Sequence, residues 1–332
     1  MTIPAACIFG CEGLHLTATE KRFFKTSDPW GFILFARNIT DANQVRRLTS
    51  EIRDCVGRNA PILIDQEGGR VQRLRSPEWS EWLPPLEQVA QTSDGKSIEL
   101  RYRIIAAELH ALGIDVNCAP MLDIATDDSH DIIENRCFGR DAKTVSEMGR
   151  AAADGLLAGG VLPIIKHIPG HGRANMDSHF ELPHLNTPLP ALQASDFIPF
   201  KHLSDLPMAM TAHIVYTDID PDHCATQSPA VINTIRTDMG FDGLIMTDDL
   251  SMKALQGSFA DRCKASFNAG CDVVLHCNGV MDEMAQVADA TPALTGKALT
   301  RADAALGLRI IPEAFDIDAA KEQFNHLMEK AA

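Results

Sequence analysis

Short apolar runs alternate along the chain with longer stretches in which apolar residues recur at helical spacing. Eight runs have the aliphatic, Gly-, Pro- or Asp-bounded character of buried strands: Ala5–Phe9, Gly31–Phe35, Pro61–Ile64, Asp115–Ala119, Leu162–Lys166, Met208–Thr211, Gly243–Thr247 and Asp272–His276. Between them, spacings of three and four predict helices over Asp41–Val56, Ile98–Leu112, Ala142–Ala158, Pro190–Leu203, Pro229–Met239 and Phe259–Ala269. Several are opened by Asp, Ser or Pro and closed by Gly, as helix ends prefer. Regular strand–helix alternation implies a parallel sheet.

An open doubly wound sheet and a closed (β/α)8 barrel both fit eight strands. The two differ in where polar strand ends fall. Asp65, Asn117, Lys166 with His167, His213, Asp248 with Asp249, and Asn278 all follow apolar runs. A barrel gathers such C-terminal ends on one face, whereas an open sheet leaves several far apart. The expected fold is therefore α/β, a single (β/α)8 TIM-type barrel over residues 1–332, with 313–332 as a closing C-terminal helix.

With 332 residues, 45% of them apolar, the chain can bury a core of that size. Thirty Lys and Arg against 45 Asp and Glu give a formal charge of −15. No basic stripe interrupts that balance, so neither nucleic acid nor an anionic membrane surface is an expected partner. The first ten residues lack the basic start of an export signal, and later apolar stretches end well before the roughly 18 residues a spanning helix needs. Nine cysteines without a Cys-x-x-Cys pair fit free thiols in a reducing cytoplasm, with Cys7 and Cys11 as buried apolar residues. A monomer is expected.

Three stretches carry candidate chemistry. In Lys166-His167-Ile168-Pro169-Gly170-His171-Gly172-Arg173-Ala174-Asn175-Met176-Asp177-Ser178-His179, Pro169 and the glycines forbid a helix, leaving three histidines and Asp177 on a strand-end loop. Such density of ionisable groups is unusual for a connector, although a surface loop with incidental histidines is the plainer reading. A metal site is a rival, but His-x3-His converges best on a helix, which Pro169-Gly170 removes. Asp248-Asp249 ends an apolar strand. There one carboxylate, Asp249, is expected to cap a following helix, leaving Asp248 to face the barrel mouth. In Asp65-Gln66-Glu67-Gly68-Gly69-Arg70-Val71-Gln72-Arg73, Asp65 is placed to accept hydrogen bonds from sugar hydroxyls, and Glu67 and Arg70 are candidates to pair with each other. Gly68-Gly69 lacks the spacing of a phosphate loop.

Together with Gly31–Asn38, Arg136–Gly139 and Thr247–Met252, these stretches resemble, in order, the signature motifs of bacterial family 3 β-N-acetylglucosaminidases of the NagZ type. The resemblance spans roughly residues 5 to 280. Ile168 stands where the family usually has Phe, and Thr247 where it often has Ser. The resemblance implies Asp248 as nucleophile, His179 as proton donor and acceptor, and Asp177 as the partner of His179. It implies Asp65, Arg73, Arg136, Lys166 and His167 as sugar-binding residues, with no metal and no cofactor.

By that resemblance the expected activity is retaining, exo-acting hydrolysis of the β-1,4 link between N-acetylglucosamine and (1,6-anhydro-)N-acetylmuramic acid in muropeptides. A small-molecule sugar is then the partner. Most retaining glycosidases use two carboxyl groups. A histidine in the acid position is chemically reasonable, because its ordinary pKa near 6.5 makes both protonation states accessible at neutral pH. Alternatives are a phosphorylase on the same scaffold, a metal-dependent barrel hydrolase, and a sugar-binding protein without turnover.

Overall fold

The computed structural model describes residues 3–92, 94–127, 129–174, 176 and 181–329. Eight parallel strands close into a barrel in sequential order: β1 (Ala5–Gly10), β2 (Pro29–Leu34), β3 (Ile62–Ile64), β4 (Val116–Asn117), β5 (Leu162–Ile168), β6 (Met208–Thr211), β7 (Leu244–Asp249) and β8 (Val273–His276). β8 pairs with β1 through Cys7–Val274, Ile8–Leu275 and Phe9–His276, which closes the ring. All eight expected strands are present, with ends differing by a few residues.

Strand alternation explains the two layers of core. Because successive side chains point to opposite faces, Ile8, Ile33, Leu63, Val116, Ile164, Met208, Leu244 and Val273 fill the barrel interior as one cluster. Their neighbours Cys7, Phe9, Phe32, Ile62, Ile165 and Ala209 face outward and join a second cluster with the helices. Strands apolar on both faces are what a helix-wrapped parallel barrel requires.

Helix ends follow local chemistry. Asp41, Asp141 and Ser228 accept the backbone N–H of Gln44, Thr144 and Val231 and start helices Ala42–Val56, Ala142–Ala158 and Pro229–Thr237. Ser258 and Asp261 cap helix Phe259–Ala269 reciprocally, and Gly270 ends it at φ 111°. The helix expected over Pro190–Leu203 is two short ones, Leu189–Gln193 and Ile198–His202. Between them, buried Asp196 accepts a hydrogen bond from Arg173 at 2.8 Å, a tie that draws this turn toward the loop after β5. Helix Ile317–Glu329 closes the chain, with Phe324 edge-on to Trp82 at 5.2 Å. No described helix is long and apolar enough to cross a membrane.

Met246 is fully buried inside the barrel, two residues before Asp248. Met246→Ala is expected to cost about 2–5 kcal/mol through lost burial and the cavity left behind, read as a lower urea midpoint with an unchanged denaturant slope.

Candidate active site

The alternation that fills the barrel also decides what lines its mouth. Two residues beyond interior Leu63, Ile164 and Met246 stand Asp65, Lys166 and Asp248, so three of the strands that contribute an apolar core residue end in an inward charge. With Phe35, Arg73, Arg136, His167, Met210 and Cys277 they line a cavity of 280 Å3. It lies at the C-terminal ends of the strands, the face on which barrel enzymes carry their sites. Every described residue proposed for chemistry or sugar binding lines this cavity. Asp177 and His179 lie outside the described residues.

Five charges form one network on its floor. The Lys166 ammonium, 2% exposed, lies 2.9 Å from Asp65 and 2.5 Å from Glu67. Arg136 grips Glu67 with two parallel hydrogen bonds of 2.9 and 2.8 Å, and Arg73 donates to Asp65 at 3.0 Å. Arg73 also lies 5.2 Å over the Phe35 ring. Burial alone would raise the Glu67 carboxyl, but Arg136 and Lys166 outweigh it and hold it near 2. Asp65 is likewise held well below the carboxylate range: Lys166 and Arg73 overcome its burial. Both acids are therefore ionised at any working pH, and neither can donate a proton.

The expected Glu67–Arg70 pair does not form. The chain after β3 turns back as a small hairpin of Gln66–Gly68 against Val71–Gln72, which sends Glu67 inward and Arg70 outward. The turn holds Gly68 at φ 109°, and a Cβ there would meet the Arg101 guanidinium at 1.8 Å. Arg101 is fully buried; it donates to the Glu67 carbonyl and, at 2.5 Å, to Gln88, fixing the backbone that carries Glu67.

His167 is set by a residue that strand spacing does not reveal. Asp123, fully buried in the loop after β4, faces His167 Nδ1 at 2.8 Å. It also accepts the backbone N–H of His171 at 2.5 Å. With Nδ1 on the carboxylate, the other ring nitrogen of His167 is left for the cavity. Burial and neighbouring His167 push His171 down to about 4, so that ring is neutral at pH 7. Among the described residues no group of three His, Cys, Asp or Glu side chains could hold a metal ion.

Asp248 and Asp249 divide differently from the helix-cap expectation. β7 runs through both, and no helix starts before Ser258. Asp249 instead accepts the backbone N–H groups of Ser251 and Cys277 at 3.0 and 3.1 Å, and the Ser251 hydroxyl, bracing a tight turn against the end of β8. Behind it, His213 meets the Asp249 carbonyl at 3.1 Å and Thr226 at 2.7 Å, a structural place for a histidine read as a strand-end polar residue. Asp248 is half-buried and faces the cavity.

Sequence reading missed Asp123 and Arg101 and misassigned Glu67. Asp123 lies six residues past Asn117, and Arg101 sits mid-helix, where an arginine ordinarily faces solvent. No local pattern marks either as part of a site.

Removing one partner of a buried ionic cluster leaves the others uncompensated. Glu67→Gln is therefore expected to cost about 3–5 kcal/mol at neutral pH. Glu67 lies below its ordinary value of 4.5, so its contribution is complete above that pH and is lost only as pH falls toward about 2. Denaturation at pH 7 should separate the two proteins, and their stabilities should converge as pH falls below 4.

Comparison with known proteins bears on this arrangement. Residues 14–304 match the family model described as the glycosyl hydrolase family 3 N terminal domain. A protein of Bordetella parapertussis named Beta-hexosaminidase is 37% identical over 288 residues, covering 83% of this chain and 80% of the relative. The crystal structure of native NagZ from Neisseria gonorrhoeae superposes with a TM-score of 0.84 at 30% identity, covering 98% of this chain and 96% of that one. A second structure of that protein, in complex with N-trifluoroacetyl-D-glucosamine, matches with the same score and identity over 99% and 97% of the two chains. A family 3 β-N-acetylglucosaminidase from Paenibacillus sp. superposes at 0.86 with 26% identity; this chain is covered over 98% and spans 66% of that longer one. The chain belongs to glycosyl hydrolase family 3.

Proposed function

We propose that this glycoside hydrolase is a retaining exo-β-N-acetylglucosaminidase that releases N-acetylglucosamine from (1,6-anhydro-)N-acetylmuramic acid in muropeptides. The observation that carries the reading is the position of Asp248, a half-buried carboxylate at the end of β7. It lines the same cavity as Asp65, Arg73, Arg136, Lys166 and His167, and one of its oxygens accepts the backbone N–H of Asp249 at 2.8 Å. The N-trifluoroacetyl-D-glucosamine complex of the Neisseria relative supports an N-acetylated sugar as ligand.

In this mechanism the Asp65–Arg73 and Glu67–Arg136–Lys166 groups, with His167, bind and orient the terminal sugar. An ionised Asp248 oxygen attacks the anomeric carbon while His179, tuned by Asp177, gives a proton to the departing oxygen. A covalent glycosyl-enzyme results. His179 then takes a proton from water, which displaces Asp248 and leaves the anomeric configuration retained. The low pKa values of Asp65 and Glu67 support a histidine as acid, because no carboxylic acid of the floor network holds a proton to give.

The chain reads as one catalytic barrel closed by its C-terminal helix, monomeric and cytoplasmic. Nine free cysteines, seven of them buried, favour a reducing compartment. Recycling of cell-wall fragments would suit such a setting.

Aryl β-N-acetylglucosaminide turnover in EDTA and phosphate-free buffer tests the class. Hydrolysis there favours a metal-independent glycosidase, whereas rescue by phosphate or a divalent ion favours the phosphorylase or metal alternative. Asp248→Ala should lower kcat at least about 10³-fold, and near-normal turnover would refute its role. His179→Ala should damage substrates with poor leaving groups far more than those with good ones. If His167→Ala shows that leaving-group dependence instead, the His167–Asp123 pair is the acid.

A further inference from the structure

Four cations line the cavity, and three of them are committed. Arg73 is held by Asp65, Arg136 by Glu67, and Lys166 by both acids. The fourth, Arg70, has no hydrogen-bond or ion-pair partner among the described residues, although it lines the same cavity and is exposed at its rim.

The hairpin that presents Arg70 is firmly tied. Gly69, at φ 57°, donates to the Trp82 carbonyl at 2.9 Å, and a Cβ there would meet Pro84 at 2.9 Å. Gln66 accepts the backbone N–H groups of Arg73 and Leu74, and Gln72 donates to the carbonyls of Leu74 and Ser80. The Arg70 backbone is therefore fixed before any ligand arrives, which lowers the entropic cost of using its side chain.

With the terminal sugar in this 280 Å3 cavity, the aglycone leaves through its open side, where Arg70 is exposed. Val71, Ile132 and Met252 add apolar surface to the same lining. We infer that Arg70 is a specificity-determining residue that selects an aglycone bearing a carboxylate close to the scissile bond. This rests on the glycosidase reading, with the terminal sugar on the charged floor and Asp248 at its anomeric carbon. An arginine presents a planar fork that matches a carboxylate, and at a partly exposed rim it discriminates without the full desolvation cost of a buried pair.

The test uses the full chain and two substrates, 4-carboxyphenyl β-N-acetylglucosaminide and its methyl ester. Wild type, Arg70→Gln and Arg70→Lys are compared by kcat/KM on each at low salt, so that the variant-to-wild-type ratio cancels leaving-group differences. Arg70→Gln should lose about fivefold more on the carboxylate than on the ester, as a partly exposed charge pair gives, with Arg70→Lys recovering part of it. The preference should shrink as salt is raised. Equal losses on both substrates, or none on either, overturn the assignment of Arg70 while leaving the glycosidase standing. Failure of wild type to hydrolyse the neutral ester overturns the glycosidase reading itself, and the role of Arg70 with it.

Discussion

A lysine ammonium stripped of water at the end of β5 constrains the whole mouth of the barrel. Lys166 is nearly inaccessible, and an isolated charge there would cost several kcal/mol. Asp65 and Glu67 make it tolerable, and each needs a second cation, Arg73 or Arg136, to offset its own burial. The Glu67 backbone is fixed in turn by Arg101 and by a hairpin that only glycine at position 68 permits. Pairing, rather than exposure to water, satisfies each of these charges, so none can be replaced without stranding its neighbours.

That cluster divides the site into a fixed part and a part that acts. Charges locked in mutual pairs keep constant protonation and position, which suits them to orient a polar sugar and makes them poor proton donors. Asp123 extends the same logic to His167 by engaging one ring nitrogen and leaving the other toward the cavity. Asp248 stands at the end of β7, a strand braced by the turn that Asp249 holds. A rigid floor beside a half-buried carboxylate is an arrangement in which binding energy can be spent on geometry.

Arg70 belongs to neither part. The floor has already matched its cations to its acids, and the hairpin leaves this remaining one exposed beside the cavity. Exposed charge there influences what is chosen more than how fast bonds break.

The sequence by itself determined the barrel and the ends of its strands. Apolar runs, caps such as Asp41, Asp141 and Ser228, and polar residues after the strands are local features, read within a few residues of chain. It also marked Asp65, Lys166 and Asp248, because strand alternation carries each inward from an apolar residue two positions earlier. What it could not decide is which charge meets which. Glu67 was equally well placed on paper for Arg70 or for a distant cation; the hairpin turn sends it inward, and closure of the barrel brings Arg136 and Lys166, 69 and 99 residues away, to meet it. Asp249 faced the same choice between a helix N-terminus ahead of it and the end of β8 beside it. Ion pairs act through space over a few ångströms, and only the closed tertiary structure sets those distances.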